Sequence, residues 1–314
     1  MNVVEESLFY SKILLFGEYG IIEDSMGLSI PFDSYSGKFQ NKNTTSGKAK
    51  KSNKSLNEFC DFLEEQIKNK ALSFKIDIKR FREDIHSGIY FESNIPEGYG
   101  VGSSGALCAA VYNNYGINKI DAENNITSQK IVKLKKVFSE MESYFHGKSS
   151  GLDPLICYLK LPILIKSKSD INTVGLPEKS TGKSAIFLLN SGKPGKTQPM
   201  VNIFLEKLKE DGFRNMIKKE FKKYNDACIE SFLKKDLSPL FDNIKKLSSL
   251  VFDNFKPMIP EVFHKLWKEG IESNTYYLKL CGSGGGGYIL GFTQNIDLAK
   301  SKLKDYQLEV VYNF

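Results

Sequence analysis

The chain is poor in the residues that build metal centres and disulfide frameworks. Its 314 residues include three histidines, five cysteines and one tryptophan. The cysteines, at 60, 108, 157, 228 and 281, are odd in number and include no C-x-x-C pair. Neither a disulfide scaffold nor a zinc ribbon is therefore indicated. Three histidines do not support a His-rich metal site. No apolar run approaches the ~18 residues of a membrane span. The first residues, Met1-Asn2-Val3-Val4-Glu5-Glu6, are acidic where a secretory signal would be basic. Reduced cytosol is the simplest setting, so a cytoplasmic location is expected.

What is present is an ordinary globular composition. Hydrophobic residues make up 41% and charged residues 26%, which excludes a disordered or fibrous chain. The length suggests about two domains at ~150 residues each. Lys and Arg number 44 against 37 Asp and Glu, a net charge of +7. That excess fits nucleic acid, a membrane surface or an anionic metabolite. Much of it is local: residues 34–57 carry lysines 38, 42, 48, 50, 51 and 54 and no acid. Set among Ser, Thr, Asn and Gly, this stretch reads as a mobile loop.

Periodicity sketches the rest. Residues 8–16 read as a strand that ends at Gly17-Glu18-Tyr19-Gly20. Residues 56–70 look helical. Residues 74–78 and 88–92 read as strands. A small-residue helix over 103–114 follows a Gly-rich turn. Ile131, Leu134, Phe138, Met141 and Phe145 mark a longer helix near 127–146. Residues 155–166 and 184–190 suggest further strands. Between 198 and 271 amphipathic helices dominate, with Phe213, Ile217, Phe221, Cys228 and Phe232 on one stripe and Leu240, Ile244, Leu247 and Val251 on another. Strands at 276–281, 287–292 and 307–312, with a short helix before the last, close the chain. Strands and helices mix without strict alternation, which favours α+β in two domains with a boundary near 170–183.

Four constellations can carry chemistry. Pro96-Glu97-Gly98-Tyr99-Gly100-Val101-Gly102-Ser103-Ser104-Gly105-Ala106 places glycine at alternate positions before a helix. Such a loop and helix N-terminus suit an anion, most often phosphate. A glycine turn with a serine N-cap remains equally open from spacing alone. Glu142 and His146 share a helix face at i and i+4, and the chain then turns through Gly147-Lys148-Ser149-Ser150-Gly151 to Asp153. Two carboxylates can converge there, one on a metal and one on a proton, or the stretch is a solvated helix end. Lys279-Leu280-Cys281-Gly282-Ser283-Gly284-Gly285-Gly286-Gly287 is glycine-dense beyond the needs of a hairpin, which points to close backbone approach. Lys12 lies inside an otherwise apolar strand, either as a snorkelling edge residue or as a cation held in a site.

Together, and in this order, these segments resemble the three motifs of the GHMP kinase superfamily. The resemblance covers essentially the whole chain. K-x-x-L-x-G-E runs from Lys12 to Glu18, P-x-G-x-G-x-G-S-S from Pro96 to Ser104, and K-L-x-G-x-G-G-G-G from Lys279 to Gly287. E-x-x-x-H-G-x-x-S-G-x-D, from Glu142 to Asp153, is similar to mevalonate kinases. So is the turn Asn190-Ser191-Gly192-Lys193-Pro194-Gly195-Lys196-Thr197.

The resemblance implies an α+β, two-domain GHMP kinase fold. Residues 1–178 would form an ATP-binding N-terminal domain like domain 2 of ribosomal protein S5. Residues 179–314 would form a ferredoxin-like α+β C-terminal domain. It implies ATP and Mg²⁺, and transfer of the γ-phosphate to the hydroxyl of mevalonate or a related hydroxy acid. Asp153 matches the catalytic base and Lys12 the lysine beside it. Ser104 and Glu142 match the metal ligands. Gly98, Gly100, Gly102, Ser103, Ser104 and Gly105 match the phosphate loop. Glu18, Tyr19, Lys196 (or Lys193) and Thr197 fall on the substrate side. Gly282, Gly284 and Gly285 match the supporting glycine loop. No nucleic-acid or membrane partner is implied, and a homodimer is compatible.

Tyr19 stands where the family usually has histidine, which keeps phosphomevalonate or another hydroxy-acid acceptor open. A non-catalytic family member and a nucleic-acid binder using the lysine stretch are the other readings. That stretch lacks the interleaved aromatics of single-strand binders. Trp267, His86 and His264 read as structural.

Overall fold

The computed structural model describes residues 7–40, 46–122 and 126–314. Along the chain come β1 (Phe9–Phe16), β2 (Gly27–Gln40), α1 (Gly47–Lys68), β3 (Lys75–Ile76), α2 (Ile78–His86) and β4 (Tyr90–Ser93). Then follow α3 (Ser103–Tyr115), β5 (Gly116–Ile117), α4 (Ser128–His146), α5 (Leu152–Leu159), β6 (Ile163–Ile165), β7 (Ile171–Thr173) and β8 (Ala185–Asn190). The remainder is α6 (Thr197–Lys207), α7 (Asp211–Met216), α8 (Lys222–Leu233), α9 (Leu237–Asn254), α10 (His264–Ser273), β9 (Tyr277–Leu280), β10 (Tyr288–Thr293), α11 (Ile296–Lys302) and β11 (Leu308–Asn313). The fold is mixed α+β, as the element pattern implies.

Two compact units interleave in sequence. One comprises Met1–Lys12, Pro31–Pro96 and Gly102–Leu161, so far as these are described. Its centre is α3, where Ala106, Cys108, Ala109, Ala110 and Val111 are all fully buried. Buried on nearly every side, α3 packs against both α4 and α5. In this unit β2 pairs antiparallel with β4, Gly37 opposite Ser93 and Gln40 opposite Tyr90. Side-chain caps start three of its helices: Ser46 accepts from Ala49 N–H, Asp77 from Arg80 N–H and Thr127 from Lys130 N–H.

The other unit comprises Ile13–Ile30, Glu97–Val101 and Pro162–Phe314. It holds an antiparallel sheet in the order β11-β8-β10-β9. Ala185 to Leu189 of β8 are all fully buried, so both faces of that strand are covered. α9 packs on β9 and pairs with α8, and α10 packs on α9 and β9. Trp267 of α10 is fully buried, and its indole donates to the Ser248 carbonyl at 3.0 Å. That is the structural role expected of it. A π-helical turn, Ile217–Phe221, joins α7 to α8.

Three elements depart from the sequence pattern. The lysine stretch is mostly regular structure: 34–40 lie in β2 and 47–57 in α1, while Lys42 falls outside the described residues. Its polar residues are tied down. Ser52 exchanges two hydrogen bonds with the backbone of Phe91, and Asn53 donates to the carbonyls of Ile85 and Ile89. Of the strand expected at 155–166, residues 155–159 lie in helix α5 and only Ile163–Ile165 are strand; every residue from Pro154 to Leu159 is buried, and an all-apolar run carries no period to separate helix from strand. The strand expected at 74–78 shrinks to Lys75–Ile76, because Asp77 caps α2.

Candidate active site

In the first unit, four of the sequence-picked side chains converge. Lys12 extends from β1 and is 3% exposed, and its Nζ lies 2.9 Å from Asp153 Oδ2. The Asp153 side chain, in the first turn of α5, remains 38% exposed. The ammonium is thus buried while the carboxylate stays open to a reactant. The Lys12 stem runs beside Gly102, where a Cβ would come within 2.9 Å of Lys12 Cγ.

Ser104, in the first turn of α3, meets Glu142 in the last turns of α4. Ser104 Oγ donates to Glu142 Oε1 at 3.1 Å, and Ser149 Oγ donates to Glu142 Oε2. Burial, reinforced by the nearby Asp153 charge, holds the Glu142 carboxyl well above the usual carboxylate range. Two hydroxyl donors oppose that rise without cancelling it. His146 Nε2 lies 3.2 Å from Ser104 Oγ. When the single Ser104 proton goes to Glu142, His146 must be the donor in that contact. Burial lowers the His146 pKa, which favours the neutral ring.

A buried carboxylate next to a hydroxyl is a donor set for a hard cation. Among the described residues, no three His, Cys, Asp or Glu side chains cluster as a metal centre. A cation here would therefore rely on one carboxylate, one hydroxyl and oxygens from a ligand, a set that fits Mg²⁺.

The turn before α5 aims Asp153. Gly151 adopts φ +70, and a Cβ there would sit 2.1 Å from the Lys135 carbonyl oxygen and 2.5 Å from Ser139 N. Only glycine fits. Ser139 Oγ donates to the Ser149 carbonyl at 2.6 Å, and Ser149 Oγ accepts from Gly151 N–H at 3.0 Å.

In the second unit, three loops meet through their backbones. Gly195 N–H donates to the Gly98 carbonyl at 2.7 Å, and Gly287 N–H to the Lys193 carbonyl at 2.7 Å. Gly100 has φ +78, and a Cβ there would lie 2.5 Å from the Cys281 carbonyl oxygen. The close approach expected of the glycine run is therefore made to the loops at 98–100 and 193–195. Gly282, Gly284 and Gly285 all have positive φ in this run.

The substrate-side residues divide. Lys196 and Thr197 are exposed at the start of α6. Glu18 is 6% exposed and pairs with Lys279 at 2.5 Å. Tyr19 is 8% exposed and stacks on Phe204 at 4.5 Å. Ser149 and Lys279 lie inside the motifs, and the sequence assigns neither a role in the site. Lys279 had the same signal as Lys12, a lysine inside an apolar strand. Ser149 had none beyond its place in the turn.

Residues 61–160 match the family model of the GHMP kinases N terminal domain. With the α+β architecture, this sets the chain among proteins of the GHMP kinase fold. Solved structures give particulars. Mevalonate kinase from L. major, crystallised with R-mevalonate, superposes with a TM-score of 0.63 at 15% identity, covering 96% of this chain and 91% of that one. Lactococcus lactis galactokinase complexed with galactose gives 0.60 at 13% identity, covering 98% and 94%. Streptococcus pneumoniae phosphomevalonate kinase gives 0.59 at 14% identity, covering 98% and 97%. At such identities the likeness is one of fold, on which sites vary. Comparison with curated proteins gives no match.

Proposed function

We propose that the chain is an ATP- and Mg²⁺-dependent kinase that transfers the γ-phosphoryl group of ATP to the hydroxyl of mevalonate. The observation that carries this is the buried Lys12 ammonium 2.9 Å behind the open Asp153 carboxylate. Asp153 would take the acceptor's hydroxyl proton. The acceptor oxygen bonds to the γ-phosphorus, the bond to the bridging oxygen breaks, and ADP leaves. Lys12 would offset negative charge on the attacking oxygen. Ser104 and Glu142 would hold Mg²⁺, which when bound neutralises phosphate charge. Backbone amides of Gly98, Gly100, Gly102, Ser103 and Gly105 would face the phosphates. Positioning and charge neutralisation supply most of the catalysis in such transfers.

Lys196 and Thr197 would meet the acceptor's carboxylate, on loops that Glu18 and Tyr19 help to hold. The division into residues 1–178 and 179–314, a cytoplasmic location and a dimer belong to the same proposal.

A second reading, a different hydroxy acid or phosphomevalonate as acceptor, is favoured by Tyr19. Its hydroxyl is engaged by the Ser283 carbonyl at 2.7 Å. A coupled ATP assay over mevalonate, phosphomevalonate, homoserine and galactose separates the two. Turnover of mevalonate is expected. Turnover of another acceptor alone selects the second reading. Asp153→Asn should lose about 10²–10⁴-fold in turnover while still binding ATP; near-normal turnover would remove Asp153 as the base.

A further inference from the structure

Two long-range bonds tie the segment Gly17–Gly20 to the glycine loop of the same unit. Glu18 Oε1 accepts from Lys279 Nζ at 2.5 Å, across 261 positions of sequence. Tyr19 Oη donates to the Ser283 carbonyl at 2.7 Å, across 264 positions. Lys279 Nζ also donates to the Leu280 carbonyl at 3.1 Å. The bonds therefore grip the loop at its entry strand and at its second residue after Cys281.

Neither bond is a common means of adding stability. The ion pair is buried, Glu18 at 6% and Lys279 at 3% exposed, and Phe221, Leu247, Val251 and Phe255 line the small cavity beside it. Charges in such apolar surroundings gain little net stability, and their best-attested use is to fix register. Tyr19 sits at φ 60, a conformation that costs a non-glycine residue energy and persists only where its surroundings enforce it. The enforcing contacts are the stack on Phe204 at 4.5 Å and the Ser283 bond. Burial pushes the Tyr19 hydroxyl well above its ordinary value, so it stays a donor.

The strapped loop is the one against which the 97–101 segment lies. Tyr288 N–H donates to the Tyr99 carbonyl at 3.4 Å, and the Tyr99 and Tyr288 rings meet edge-on at 5.1 Å. Gly100 has no room for a side chain beside the Cys281 carbonyl. On its other side, Ser283 Oγ donates to Thr197 Oγ1 at 3.4 Å.

We propose that Glu18, Tyr19 and Lys279 are positioning residues, a two-point strap that sets the glycine loop Cys281–Gly287 and, through it, the 97–101 phosphate loop. The nucleotide consequence rests on the kinase reading; the strap itself does not.

The test uses Tyr19→Phe, which keeps the stack and deletes one bond, and the paired Glu18→Gln/Lys279→Met, which leaves no unpaired charge. Amide hydrogen exchange is followed over 281–287 and, as a control, over β8. ATP affinity is measured by calorimetry without acceptor. Both variants should exchange about tenfold faster over 281–287 with β8 unchanged. ATP affinity should weaken several-fold, and KM for ATP should rise by the same factor. Unchanged exchange over 281–287 in Tyr19→Phe overturns the strap, whether or not the double variant folds. Faster exchange in a protein that binds no ATP even as wild type upholds the strap and refutes the kinase reading. Faster exchange with unchanged ATP affinity overturns the link to the phosphate loop.

Discussion

Glu142 has almost no water and two hydroxyl donors, and its nearest charged neighbours are of both signs. Because its folded pKa is raised, the folded protein holds a proton that the unfolded chain releases above the ordinary glutamate value of ~4.3. The sign follows: this group's contribution to stability is full below the unfolded value and is lost as pH rises through the raised folded value. Without divalent cation, the melting temperature of the wild type should fall, relative to Glu142→Gln, as pH climbs from ~4.3 into the alkaline range. Parallel melting curves for the two proteins would count against a desolvated carboxyl. On the kinase proposal, the same substitution should raise the Mg²⁺ concentration needed for half-maximal turnover. At this scale Lys12, Ser104, Glu142 and Asp153 were legible through the motifs that resemble the GHMP kinases, since spacing alone left a structural alternative for each. Ser149 was not, because a serine in a Ser-Ser-Gly turn looks the same whether it caps the turn or donates to a carboxylate.

At the scale of elements, the turn from α4 into α5 decides where Asp153 lies. Gly147 and Gly151 both have positive φ, +71 and +70, but only Gly151 is walled in by backbone. Gly147→Ala should cost backbone strain alone, roughly 1–3 kcal/mol, because Gly147 combines φ 71 with ψ −61. Gly151→Ala should cost that plus overpacking, about 1–3 kcal/mol more, and should depress turnover by moving Asp153. Denaturant titration of the two variants measures the difference; equal losses would mean the turn relaxes freely. Helices α4, α8 and α9 were legible from their apolar stripes, and α3 from its small residues after a glycine-rich turn. The N-terminal half of α1 was hidden because its lysines are exposed and, there, Ala49 is its single buried apolar anchor before Leu56. α5 was hidden for the opposite reason, since every residue from Pro154 onward is apolar and buried.

At the scale of the molecule, the +7 charge says little about function. Lys48, Lys50, Lys51 and Lys54 lie on the solvated face of α1. The cysteines are more telling. All five are buried, and none is in a disulfide. Burial pushes the Cys60 thiol up to about 11, and raises Cys108 and Cys157 well above their ordinary value. At pH 8 the native protein should therefore react with a disulfide reagent only as fast as it opens, and all five thiols should titrate together in denaturant. Fast labelling of one thiol in the native state would locate a local opening.

The order of the motifs, the stripes of the long helices and the α+β character are properties of neighbouring residues, and the sequence by itself determined them. Spacing within a helix or along a loop is local, so it survives without coordinates. Which polar groups end up paired is different. Glu18 looked like a residue free to face a substrate, yet its partner lies 261 positions away in a buried strand. A side chain's environment in the interior is set by whatever the chain brings to it, and burial turns an available carboxylate into an engaged one. Only the tertiary structure decided that: it left the Asp153 carboxylate open and engaged that of Glu18.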